Sequence, residues 1–194
     1  MKKQAKSFLA IALALGLGLG FSSCKKDEPD PGPDPQPTKE TTFSNSLSLG
    51  TTLVEYYEIT AEYTDADGKT TSVDFKQCPE SIMKFITSDV KEDEVPVRTF
   101  TADCKTSKLP AETSIKLTYK YNGKTPADEV NIGVAGTFKI DGREVYPGYQ
   151  QYMRGIDAEG LKGMTDILNE QFSNFIMKVD AKGNQSYILG TKKG

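Results

Sequence analysis

Between Tyr57 and Tyr146 the chain alternates apolar and polar residues, and most of these runs end in a turn that contains glycine. Ile115, Leu117, Tyr119 and Tyr121 share one parity and lead into Asn122-Gly123. Val130, Ile132, Val134, Phe138 and Ile140 share another, loosened by Gly133 and Gly136, and end at Asp141-Gly142 before Glu144-Val145-Tyr146. Tyr57, Ile59, Ala61 and Tyr63 are separated from Val73 and Phe75 by Asp65-Ala66-Asp67-Gly68-Lys69. A period of two sends successive side chains to opposite faces of an extended backbone, and glycine supplies the positive φ that a tight hairpin needs. Such a pattern dictates antiparallel sheets joined by hairpins.

The rest of the chain fits the same reading. Phe43 to Val54, with Leu47, Leu49 and Leu53 on one parity, is expected to be a strand. Val95 to Ala102 is another, with Pro96 marking an edge. Phe175 to Val179 and Ser186 to Leu189 flank the turn Asp180-Ala181-Lys182-Gly183-Asn184. Pro79 and Glu80 suit the first turn of a helix, and Ile82, Phe85 and Ile86 have helical spacing; the alternative is an irregular strand. Lys91-Glu92-Asp93-Glu94 reads as a solvated turn. From Asp157 to Phe175 the period changes: Leu161, Met164, Leu168, Phe172 and Phe175 form the apolar stripe of an amphipathic helix. About seven to nine strands with one late helix predict a mainly-β fold, an antiparallel β-sandwich with one amphipathic C-terminal helix. The alternative is an α+β fold with a single open antiparallel sheet.

The N-terminal stretch is of another kind. Lys2, Lys3 and Lys6 precede an uncharged apolar run from Phe8 to Leu19, too short to cross a bilayer as a permanent helix, and Ser22-Ser23-Cys24 follows. Phe21-Ser22-Ser23-Cys24 resembles a bacterial lipobox, with phenylalanine where leucine or valine is more common. Lys25-Lys26-Asp27-Glu28 is similar to the export signal that follows the lipidated cysteine of surface-exposed Bacteroidetes lipoproteins. The resemblance implies a signal peptide over 1–23, a lipid on Cys24, and an outer-membrane protein facing the cell exterior; it implies an address and no activity. Asp27 to Pro37 carries proline at about every second position, which forbids a helix and favours an extended spacer, so 24–40 is read as an acidic tether and 41–194 as one globular domain.

Composition narrows the function. Three of the 24 basic residues precede Cys24 and none of the 27 acidic ones does, which leaves a formal net charge of −6 beyond it. That balance argues against nucleic acid as a partner. The chain has no histidine, which removes Ser-His-Asp and Cys-His nucleophile systems and histidine metal sites, and no tryptophan. Asp65-x-Asp67-Gly68 invites a calcium loop, but the twelfth position, where an EF-hand places glutamate, is Lys76, and aspartate with glycine is the usual composition of a turn. No catalytic residue, metal site or cofactor is assigned.

Two features remain. Cys78 and Cys104, beyond the cytoplasm if the export signal operates, are either a disulfide pair or two buried free thiols. Tyr146-Pro147-Gly148-Tyr149-Gln150-Gln151-Tyr152 places three tyrosines and two glutamines in seven residues. Flat rings with hydrogen-bonding tips suit a carbohydrate or peptide surface, so Tyr146, Tyr149 and Tyr152 are the candidate ligand-binding residues; the other reading packs the rings over the end of the sheet. The expected function is a surface-anchored, non-enzymatic binding module for an extracellular glycan or protein ligand. The alternative is a structural or accessory subunit of a cell-surface assembly.

Overall fold

The computed structural model describes residues 40–87 and 91–190. Cys24 and its lipobox, export signal and tether lie outside the described residues. In chain order the elements are β1 (Thr41–Gly50), α1 (Thr51–Tyr56), β2 (Tyr57–Thr64), β3 (Thr70–Val73), β4 (Glu80–Ile86), β5 (Glu92–Thr106), β6 (Ala111–Tyr121), β7 (Val130–Ile140), β8 (Arg143–Glu144), β9 (Tyr149–Ile156), α2 (Ala158–Gln171), β10 (Asn174–Val179) and β11 (Gln185–Leu189).

Every strand pair is antiparallel. One sheet runs β4-β5-β1-β7, with β8 and β9 both pairing β7; the other runs β11-β10-β6-β2-β3. The protein is therefore a mainly-β sandwich with a C-terminal helix, and a single open sheet is excluded. The inner faces meet through Phe43, Leu47 and Leu49 of β1 and Ile132, Val134 and Phe138 of β7 on one side. Ile115, Leu117 and Tyr119 of β6 and Phe175 and Met177 of β10 come from the other. Phe138 stacks on Phe175 across the sandwich, ring centroids 5.5 Å apart. Each such fully buried side chain stabilises the fold by about 1.5–3 kcal/mol. Asn45, a buried polar residue facing inward, is matched by Thr113 from the opposite sheet, its amide donating to the hydroxyl at 3.4 Å.

The turns explain the hairpins. Asp141 and Gly142 both take positive φ, 50° and 77°, which sets the two-residue link between β7 and β8. The Asp65 carboxylate accepts the backbone N–H groups of Asp67 and Lys69 at 3.0 and 2.9 Å. It is thereby a turn former, as is Asp180, which accepts from Lys182 and Asn184.

Three expectations need correction, and one open alternative is decided. β1 stops at Gly50 instead of running to Val54, because Gly50 lies against the backbone of Gly133, where a Cβ would sit 3.2 Å from its nitrogen, and the chain turns into α1. Of the two readings left open after Pro79, the strand holds: the segment is β4, in register with β5 from Glu80↔Arg98 to Ile86↔Glu92, and two exposed isoleucines, Ile82 and Ile86, disguise its alternation. Glu92, Asp93 and Glu94 open β5 rather than forming a turn. Helix α2, capped by Asp157 accepting from the Gly160 N–H at 2.8 Å, buries Leu161, Met164 and Leu168 but ends at Gln171. Phe175 belongs to β10.

Cys78 and Cys104 are free thiols, both partly buried, so the disulfide expectation is not met. The register gives the reason. The Thr99 N–H donates to the Pro79 carbonyl and Glu80 pairs with Arg98, which puts Cys78 beside Phe100. Cys104 stands four positions further along the same strand, a separation of about 13 Å at 3.3 Å per residue. A disulfide needs Cα atoms within about 7 Å.

Candidate functional site

The outer face of the first sheet is not flat. β5 outruns β1: its first half, Glu92–Arg98, pairs with β4, and its second half, from Val97 on, pairs with β1. Beyond Gly50 no strand separates the start of β5 from the start of β7. The two flanking strands, β4 and β9, approach each other over this gap. Phe85 of β4 stacks on Tyr152 of β9 at 5.1 Å, above the buried Val95, Val97 and Ala135. Gly133 lies beneath the Phe85 ring, where a Cβ would stand 2.7 Å from Cζ. The Gln150 amide completes the closure: Nε2 donates to the Lys84 carbonyl at 3.2 Å and Oε1 accepts from the Ile86 N–H at 3.4 Å.

At the mouth of this small second core is an open cleft of about 490 Å³. One wall is Glu92, Asp93 and Glu94; the other is Asn131, Tyr152 and Arg154; Thr52, Val95, Pro96 and Val130 complete the lining. Asp93 organises it. Its Oδ2 accepts from the Tyr152 hydroxyl at 3.0 Å and from Arg154 Nε at 3.1 Å. Burial raises the Tyr152 hydroxyl pKa, and its hydrogen bond to Asp93 adds to the rise, so the phenol stays protonated and donating at neutral pH. The cleft therefore presents fixed carboxylate acceptors beside guanidinium, amide and hydroxyl groups. Among the described residues no group of three or more Cys, Asp or Glu side chains converges to hold a metal.

A second depression, of about 530 Å³, lies between α1 and β5 and includes Thr51, Glu58, Lys76 and Arg98. Its Arg98 is already bound to Glu80 at 2.7 Å and to the Cys78 carbonyl at 3.1 Å.

The three tyrosines expected to form one surface are divided: Tyr146 and Tyr149 meet edge-on at 6.3 Å, and Tyr152 stands apart from them. Tyr149 and Tyr152 differ by three positions on β9, so their rings leave opposite faces of the strand. Tyr149 is 6% exposed, packed edge-on against Phe138 and Phe175 in the main core, and has no ring face left for a ligand. Tyr152 lines the cleft. Tyr146 is 47% exposed and meets Tyr187 edge-on at 6.3 Å. Sequence reasoning did not single out Asn131 or Arg154, and read Asp93 as a solvated turn. The signal for Arg154 was its shared parity with Tyr152, two positions earlier.

No protein-family model, curated protein or solved structure matches this chain.

Proposed function

We propose that this protein is a lipid-anchored outer-membrane lipoprotein, facing the cell exterior, that binds an extracellular glycan without chemical conversion. The membrane contact is the lipid on Cys24, and nucleic acid is not a partner. The observation that carries the reading is the Asp93 hub, a carboxylate that fixes Tyr152 and Arg154 in an open cleft beside Asn131. A sugar hydroxyl is both donor and acceptor. A carboxylate can only accept, a guanidinium can only donate, and an amide does both, so this set matches neighbouring hydroxyls at fixed positions. The charge of the cleft, three carboxylates against one guanidinium, favours neutral over acidic sugars.

The test is a polysaccharide and oligosaccharide panel probed with the wild-type protein and an Arg154→Ala variant. Specific binding that the variant loses, with its melting temperature unchanged, supports the reading. Binding that survives the change moves the site elsewhere, and an empty panel defeats glycan capture.

A second reading, a subunit of a surface assembly, is favoured by Ile82 and Ile86, which stand 62% and 66% exposed on the edge strand β4.

A further inference from the structure

The two walls of the cleft belong to different strand pairs. Glu92, Asp93 and Glu94 are carried by β5, which pairs with β4; Asn131, Tyr152 and Arg154 are carried by β7 and β9, which pair with each other. β1 ties β5 to β7 only as far as Gly50↔Val97. Among the described residues no backbone ladder joins β4 to β9. The seam between them is held by three alternate residues of β9, Gln150, Tyr152 and Arg154, which share one face of the strand. Tyr152 stacks on Phe85 and donates to Asp93, and Arg154 also binds Asp93. Gln150 holds the β4 backbone. Tyr152 and Arg154 line the cleft, whereas Gln150 stands outside its lining.

The place where Gln150 grips β4 matters. A carboxamide has a donor end and an acceptor end, so it serves the carbonyl of one strand residue and the N–H of the second one on, as a neighbouring strand would. Here those groups are the Lys84 carbonyl, at 3.2 Å, and the Ile86 N–H, at 3.4 Å. They flank Phe85, and the register partner of Phe85 on β5 is Asp93. The amide therefore fixes β4 on both sides of the residue that stands opposite the cleft's central carboxylate. No other side chain does this as well: asparagine is one methylene shorter, and an ionised glutamate accepts from Ile86 but has nothing to donate to Lys84.

We propose that Gln150 is the positioning residue of the cleft: without touching the ligand, it holds the Asp93 wall at the span where one carboxylate engages both Tyr152 and Arg154. The inference rests on the cleft being the glycan site. A ligand that bridges both walls then meets groups already set at fixed positions, and it is spared the cost of drawing them together. With the amide removed, the hairpin keeps its own ladder and the main core keeps its packing, but the spacing of the two walls is no longer fixed.

NMR of the isotope-labelled full chain tests this, with Gln150→Ala and Gln150→Glu beside the wild type. Gln150→Glu keeps the size and the acceptor and loses only the donor. Without ligand, the Arg154 Nε–H and Tyr152 ring signals are expected to move in both variants, while Tyr149 and the main core stay in place. Affinity for a neutral oligosaccharide that the wild type binds should fall about tenfold in Gln150→Ala, the equivalent of one to two net hydrogen bonds. Added to Asp93→Asn, which removes the hub itself, Gln150→Ala should cost no more than about twofold further. A merely structural glutamine would lower the melting temperature, leave the Arg154 and Tyr152 signals where they are, and give losses that add to those of Asp93→Asn. Unmoved hub signals or additive losses overturn the proposal. A wild type that binds no glycan defeats the glycan reading instead, and the hub signals, read without ligand, still decide whether Gln150 sets the cleft.

Discussion

The side-chain amide of Asn169 pairs with both backbone groups of Tyr119: the Tyr119 N–H donates to Oδ1 at 2.9 Å, and Nδ2 donates to the Tyr119 carbonyl at 2.8 Å. One helix side chain thus continues a β-ladder. β10 pairs with β6 only as far as Asn174↔Lys116. The next N–H, that of Leu117, donates to the Ser173 carbonyl at 2.8 Å, and Asn169 then serves Tyr119. The Tyr119 hydroxyl donates to the Phe172 carbonyl at 3.0 Å, and the Tyr57 hydroxyl to the Leu161 carbonyl. Helix α2 is therefore fastened to the second sheet at both ends by polar groups that would otherwise be buried without partners.

Asn169→Ala removes three hydrogen bonds, the two to Tyr119 and one from Nδ2 to the Thr165 carbonyl, and leaves two backbone groups of Tyr119 unserved. The expected loss is about 2–3 kcal/mol, read as a lower urea midpoint at an unchanged slope.

Two glycines should respond oppositely to alanine. At Gly136 a Cβ would lie 2.4 Å from the Phe138 ring and 2.9 Å from the Ser46 carbonyl oxygen, neither of which has room to retreat, so Gly136→Ala should destabilise by about 1–3 kcal/mol. At Gly163, in α2, a Cβ meets nothing within 4 Å. Gly163→Ala should stabilise by about 0.5–1 kcal/mol through helix propensity alone. Thermal melts of the two variants check both signs.

Tyrosine burial makes the fold sensitive to alkali. Burial, with the neighbouring Tyr121 adding to it, pushes the Tyr57 pKa up to about 12 from its ordinary 10, and burial raises Tyr63, Tyr119 and Tyr149 as well. A folded pKa above the unfolded one means that the native state holds its protons longer. The contribution to stability is complete below pH 10 and is lost as pH rises through the folded values. Tyrosinate absorbance near pH 11 should rise cooperatively, together with loss of the β-sheet circular dichroism. Independent, early titration of every tyrosine with the fold intact would contradict the burial.

The free thiols have a direct chemical consequence. Alkylation of unfolded protein without reductant, followed by mass spectrometry, should label both Cys78 and Cys104. Label at neither would restore the disulfide and require β4 and β5 to shift register.

The fold was legible where local chemistry and burial agree. Asn122-Gly123, Asp141-Gly142 and the Asp180–Asn184 turn each carry the residues that their backbone demands, and the strands on either side bury one parity. Legibility failed where burial is set by distant elements. Ile82 and Ile86 point outward on β4 while Phe85 is buried by Tyr152, 67 positions later in the chain, so no local period describes that strand. Phe175 continues the apolar spacing of α2 yet lies in β10, because Phe138 and Tyr149 await it across the core. The tyrosine cluster was visible in composition, but the strand that splits Tyr149 from Tyr152 was not. Asp93 gave no local sign of its role, since its partners Tyr152 and Arg154 are brought to it only by the meeting of β4 and β9.

The most direct test of the glycan reading is a backbone-amide NMR titration of the protein with the best oligosaccharide from the panel. The account predicts shifts gathered at Asp93, Asn131, Tyr152 and Arg154, with Tyr149 and the main core unmoved. Shifts gathered around Tyr146 and Tyr187 instead, or spread without a centre, would contradict the cleft as the binding site.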